Sequence, residues 1–126
     1  MSSVRLGKVQ MQIMQVLWEK GRASAREITE TLNQGQTIAH STVQTLLRKL
    51  EAKEAVHHEV DDRTFVFYPV ASEDRVKWSA VRELMERAFG GSAAELVSYL
   101  FQQERISDEE LESIRKRVHK PKRKRG

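Results

Sequence analysis

The chain has 126 residues, 39% hydrophobic and 32% charged, with 22 Lys and Arg against 18 Asp and Glu and no cysteine. That length holds one domain, or one small domain with an appendage. It has no apolar run near the ~20 residues of a membrane span and no secretory signal pattern, which makes the cytoplasm the expected location. The lack of cysteine excludes disulfides and thiolate metal sites. The net charge of +4 hides an asymmetry: residues 115–126 carry eight Lys or Arg and no acid, leaving fourteen basic against eighteen acidic residues over 1–114. The body is acidic, so composition alone is a weak argument for nucleic acid.

From Lys8 to about Lys20, Val9, Ile13, Val16 and Leu17 form one helical stripe, widened by Met14 and Trp18. Gly21 stands where a C-terminal cap belongs. Ser24-Ala25-Arg26-Glu27 is a capping box that opens a short helix through Ile28 and Leu32. Asn33-Gln34-Gly35-Gln36 breaks it, and the next helix opens near Ser41. In that helix Val43, Leu46, Leu47 and Leu50 recur at i, i+3, i+4 and i+7, while Thr42, Gln44, Thr45, Arg48 and Lys49 fall off the stripe. Two short helices around a brief turn, the second bearing hydrogen-bond donors, suggest helix-turn-helix.

The helix is expected to end around Lys53-Glu54. Val56, His58 and Val60 then alternate with His57 and Glu59, Asp61-Asp62 signals a turn, and Phe65, Phe67 and Pro69 alternate with Val66 and Tyr68. This is a hairpin with an acidic turn, closed by Pro69. A lone hairpin is marginally stable and must lean on the helices, which makes the unit a winged helix. Three more helices follow. Ser72-Glu73-Asp74 opens the first, Gly90-Gly91 stops it, Ser92 caps the second, and Ser107-Asp108-Glu109-Glu110 is a capping box for the third. Their apolar residues, about a dozen, are too few for a separate core. Packing against a second copy of the chain is the preferred reading, and folding back as a monomer is the alternative. The expected fold is mainly α with a small β-hairpin. It divides into a winged helix-turn-helix DNA-binding domain over 1–71, a helical dimerisation domain over 72–119 and a disordered basic tail over 120–126.

Candidate DNA contacts sit on the donor-bearing helix. Ser41 and Thr42 lie at its N-terminus, where amides and dipole favour phosphate. Gln44 suits adenine N6 and N7, Arg48 or Lys49 suits guanine or phosphate, and Thr45 suits a thymine methyl. Capping or packing is the alternative for the two threonines. Arg63 is the basic residue near the wing tip, placed for phosphate or minor groove, with an ion pair to Asp61 or Asp62 as the alternative. His57 and His58 are adjacent on a strand and point to opposite faces, so they form no chelating pair. No metal site, cofactor or catalytic constellation is expected, and the chain is not expected to be an enzyme. Trp18 and Trp78 read as packing aromatics, Trp78 at the dimer interface. The tail at 120–126 would add non-specific DNA affinity through counterion release, or only solubility.

Leu17-Trp18, the 41–50 run, Arg63-Thr64-Phe65-Val66-Phe67-Tyr68-Pro69, Gly90-Gly91 and Ile106-Ser107-Asp108-Glu109-Glu110-Leu111 together resemble the penicillinase-repressor family (BlaI/MecI/CopY type) over roughly 6–118. The resemblance implies bacterial repressors with a winged helix and a helical dimerisation domain, acting on palindromic operators. It also implies, in some systems, a membrane metallopeptidase-type sensor that triggers cleavage within the dimerisation domain. Three departures stand out. Gln44 replaces a basic residue found in several members, and Lys53-Glu54 stands where Lys-Gly is frequent. Tyr99-Leu100 occupies the position of the Asn-Phe cleavage pair. A copper-responsive cysteine cluster is absent. The expected function is a homodimeric, operator-specific repressor, and the rival is a winged-helix protein-interaction module.

Overall fold

The first helix buries the most. In the computed structural model, which describes residues 5–118, α1 (Lys8–Lys20) places Ile13, Met14 and Leu17 wholly out of solvent. Buried Gln10 on the same helix is satisfied: its Oε1 accepts from the Gly7 amide at 2.9 Å. The helix ends at Gly21 with φ +87°, a value that glycine adopts without steric cost. Then come β1 (Ala23–Ser24), α2 (Ala25–Leu32), α3 (His40–Ala52), β2 (Val56–Asp61), β3 (Thr64–Pro69), α4 (Glu73–Ala88), α5 (Ala93–Gln102) and α6 (Asp108–Val118).

The capping box at Ser24 forms as the sequence suggests. The Ser24 amide donates to Glu27 Oε1 at 2.8 Å, and the Glu27 amide donates to Ser24 Oγ at 3.2 Å. The turn from α2 to α3 is clamped by one side chain. Asn33 Nδ2 donates to the Thr29 and Ile38 carbonyls, and its Oδ1 accepts from the Ile38 amide at 2.6 Å. On α3, Val43, Leu47 and Leu50 are wholly buried against α1 and α2, with Leu46 packed beside them. Each such burial contributes roughly 1.5–3 kcal/mol.

Helix α3 closes with paired bonds from the Glu54 amide to Glu51 O and from the Ala55 amide to Leu50 O, both 2.9 Å. That is a Schellman motif, and it puts non-glycine Glu54 at φ +63°. The sheet has three strands in the order β1-β3-β2, not the two of a lone hairpin. The extra strand, β1, pairs Ala23 with Phe67 and Ser24 with Val66. Two residues are too few to show a period, so alternation could not reveal it. The β2–β3 turn is also one residue later than Asp61-Asp62 suggested. Asp61 pairs with Thr64, and the turn residues are Asp62 and Arg63, at φ +52° and +67°. Positive φ at both is the signature of a type I′ turn.

The chain divides into two compact units between Val81 and Arg82. In the second unit the expected helix stops and starts are present. Gly90 and Gly91 have positive φ, the Ser92 hydroxyl accepts from the Glu95 amide, and Ser107 and Glu110 exchange bonds of 2.9 and 3.0 Å. Yet neither α5 nor α6 buries a residue. The basic tail at 120–126 lies outside the described residues.

Candidate nucleic-acid interface

The stripe that buries Val43, Leu47 and Leu50 leaves the opposite face of α3 to solvent. Ser41, Thr42, Gln44, Thr45, Arg48 and Lys49 are all exposed there. The helix begins one residue before Ser41, and its N-cap, Ala39, supplies no side-chain hydrogen bond. The Thr42 amide donates to the Ala39 carbonyl at 3.1 Å, which leaves the His40 and Ser41 amides to water or an anion. Arg48 Nη2 donates to Thr45 Oγ1 at 3.3 Å, so these two side chains share one turn of the exposed face.

Beside this face the wing encloses a groove of about 600 Å³. It brings Gln44 and Arg48 of α3 together with Arg63 of the wing tip, and with Phe65 and Phe67 on its far wall. Ser41, Thr42, Thr45 and Lys49 do not line the groove. Tyr99 and Leu100 lie far along the chain, within α5 in the other unit. Among the described residues, Arg63 makes no ion pair with Asp61 or Asp62.

The sequence reading missed Arg26, a third guanidinium lining the groove. The signal was available: the capping box fixes Arg26 as the second helical residue of α2, exposed on its first turn. Three guanidiniums thus line the same groove as one carboxylate, Glu51. That carboxylate is already engaged, since His58 Nδ1 lies 2.8 and 2.9 Å from its two oxygens. An acidic body has therefore concentrated positive charge at one concave surface, the arrangement that attracts a polyanion. Among the described residues no group of three His, Asp or Glu side chains is placed to hold a metal. Nor is any described helix long and apolar enough to cross a membrane.

The penicillinase repressor family matches residues 6–120, almost the whole chain. The protein belongs to the penicillinase repressor family. It is 24% identical over 115 residues to the methicillin resistance regulatory protein MecI of Staphylococcus aureus (strain N315), covering 91% of this chain and 94% of that protein. The transcriptional regulator BlaI of Mycobacterium tuberculosis is 28% identical over 115 residues, covering 89% of this chain and 81% of its own length. The solution structure of the DNA-binding domain of the repressor BlaI superposes with a TM-score of 0.52 at 27% identity, covering 56% of this chain and 87% of that one. The YusO protein of Bacillus subtilis gives a TM-score of 0.54 over 90% of this chain and 72% of its own, at 17% identity, which speaks for the fold alone. Penicillinase repressors are bacterial transcriptional regulators with a winged-helix DNA-binding domain and are not enzymes.

Proposed function

We propose that this penicillinase repressor acts as a cytoplasmic homodimer on a palindromic operator, reading bases with the exposed face of α3 and gripping the backbone with the wing. The observation that carries this is the collection of Gln44, Arg48, Arg26 and Arg63 at one groove on an otherwise acidic body. Ser41 and Thr42 would hold a phosphate at the α3 N-terminus. Gln44, Thr45, Arg48 and Lys49 would face base edges or flanking phosphates, and Arg63 would reach the backbone beyond the groove edge. Two copies would set two α3 helices in successive major grooves about 34 Å apart.

The second unit supports the dimer. Its one buried large hydrophobic residue among those described is Met85, while Leu84, Val97, Tyr99 and Ile114 stay 40 to 49% exposed. So many exposed apolar side chains on three short helices mark a surface meant to be covered, and two-fold operators call for a two-fold protein. Release by proteolysis between Tyr99 and Leu100, triggered by a membrane metallopeptidase-type sensor, fits their place in the last turn of α5, where few bonds need to open. Light scattering at micromolar concentration tests the assembly: twice the 14.6 kDa chain mass is expected, and a 14.6 kDa species contradicts the dimer. Mass spectrometry of the repressor from induced cells tests release. Fragments ending at Tyr99 are expected, and an intact chain on derepression contradicts the cleavage route.

A further inference from the structure

The base of the wing is anchored in the core through Val56 and Phe67, but its outer half stands on little beyond its own pairing. β1 reaches only Phe67 and Val66 of β3, so the outer half of the hairpin, from Val60 and Phe65 to the Arg63 tip, gains nothing from it. Val60 is 64% and Phe65 51% exposed. An unsupported two-stranded ribbon is marginally stable in water. An ion pair at 3.7 Å joins Arg22 to Glu59, but both side chains are more than half exposed, a setting in which such pairs contribute little.

A different contact ties the wing to α3. Glu51, in the last turn of α3, accepts a hydrogen bond from His58 Nδ1 on β2, shared between its two carboxylate oxygens at 2.9 and 2.8 Å. The His58 ring in turn stacks on Phe65, with centroids 4.1 Å apart and planes 12° apart, and tilts against Phe67 at 5.5 Å. The chain of contact runs from the reading helix, through the imidazole, to the ring two residues from Arg63. Glu51 is also the wrong charge for its position, because it lines a groove of guanidiniums suited to a polyanion. A carboxylate there repels phosphate, so its role must lie in what it holds.

We propose that Glu51 and His58 are positioning residues of the DNA interface: they fix the angle of the wing to α3, so that Arg63 grips the backbone beside the bases that Gln44 and Arg48 meet. The inference rests on the proposed operator binding. It makes Phe65 the lever arm that transmits the latch to the wing tip.

The test is operator affinity by fluorescence anisotropy for E51A, E51Q, R63A and the E51A/R63A pair, with hydrogen exchange of the wing amides in the free protein. Removing a negative charge should by itself strengthen binding to DNA. E51A is instead expected to bind on the order of tenfold more weakly, the scale of losing wing contacts in both copies. E51Q keeps an acceptor for His58 while dropping the charge, and is expected to bind at least as tightly as the unaltered chain. In the R63A background, E51A should cost almost nothing further, because the contact it positions is gone. Wing amides should exchange faster in E51A and not in E51Q. An E51A protein that binds as tightly as the unaltered chain, or a loss that persists in full beside R63A, overturns the proposal. If the unaltered chain shows no operator preference, the operator reading fails. The exchange rates then decide the latch by themselves: equal rates in E51A and the unaltered chain refute it.

Discussion

Replacing Gln44 by alanine isolates the contact on which sequence preference should turn. Gln44 is exposed on α3, and the buried stripe of Val43, Leu47 and Leu50 does not depend on it. Its loss should leave stability within about 0.5 kcal/mol, the usual range for surface substitutions. A bidentate contact to a base contributes roughly 1–3 kcal/mol of discrimination. A dimer on a two-fold operator makes it twice, so Q44A should lose roughly 2–6 kcal/mol, at least about 30-fold in affinity. Fluorescence anisotropy against an operator duplex and a scrambled duplex, at one salt concentration, reads both numbers. Operator binding should fall while scrambled binding stays put, with an unchanged melting temperature. Equal losses on both duplexes would make Gln44 a backbone contact, and a loss under threefold on the operator would refute the base-reading role.

Other outcomes follow from particular residues. Leu47 is wholly buried, so L47A should cost about 2–5 kcal/mol and lower the melting temperature by at least about 8 °C; a drop under 3 °C would mean that α3 is not held by this stripe. Arg63 sits at φ +67° in a type I′ turn, where glycine avoids a penalty of ~1–2 kcal/mol. R63G should therefore raise the melting temperature while weakening DNA binding and reducing the salt slope by about 1 per copy. Stability and affinity moving together would contradict a wing tip kept strained for its charge. Deleting residues 120–126 removes five basic side chains and should weaken binding to all duplexes alike with a flatter salt dependence; an unchanged slope would show that the tail does not touch DNA.

Legibility from sequence followed the range of the interaction. The α3 stripe, the Ser24 and Ser107 capping boxes and the Gly90-Gly91 stop were readable because each depends on residues within one or two turns. Lys53-Glu54 stands where Lys-Gly is frequent, and Glu54 takes the left-handed backbone that a glycine would adopt more easily to close the helix. What stayed hidden needed the chain brought together. β1 exists because Ala23 and Ser24 meet Phe67 and Val66, more than forty residues on. Asn33 looked like a helix breaker, yet it is the clamp that sets α3 against α2. His58 looked unremarkable until the fold placed it between Glu51 and Phe65. Arg26 was overlooked for another reason: its capping-box neighbours explained the local pattern without it.

The proposed repressor role is tested most directly by titrating the unaltered protein against the promoter of its own operon and against random duplex at 150 mM salt. Specific DNA-binding proteins prefer their sites by roughly 10³ or more over random sequence, and that preference is the expected result, centred on a two-fold repeat. Equal affinity for the two duplexes would contradict operator recognition and leave the winged helix as a surface for protein partners.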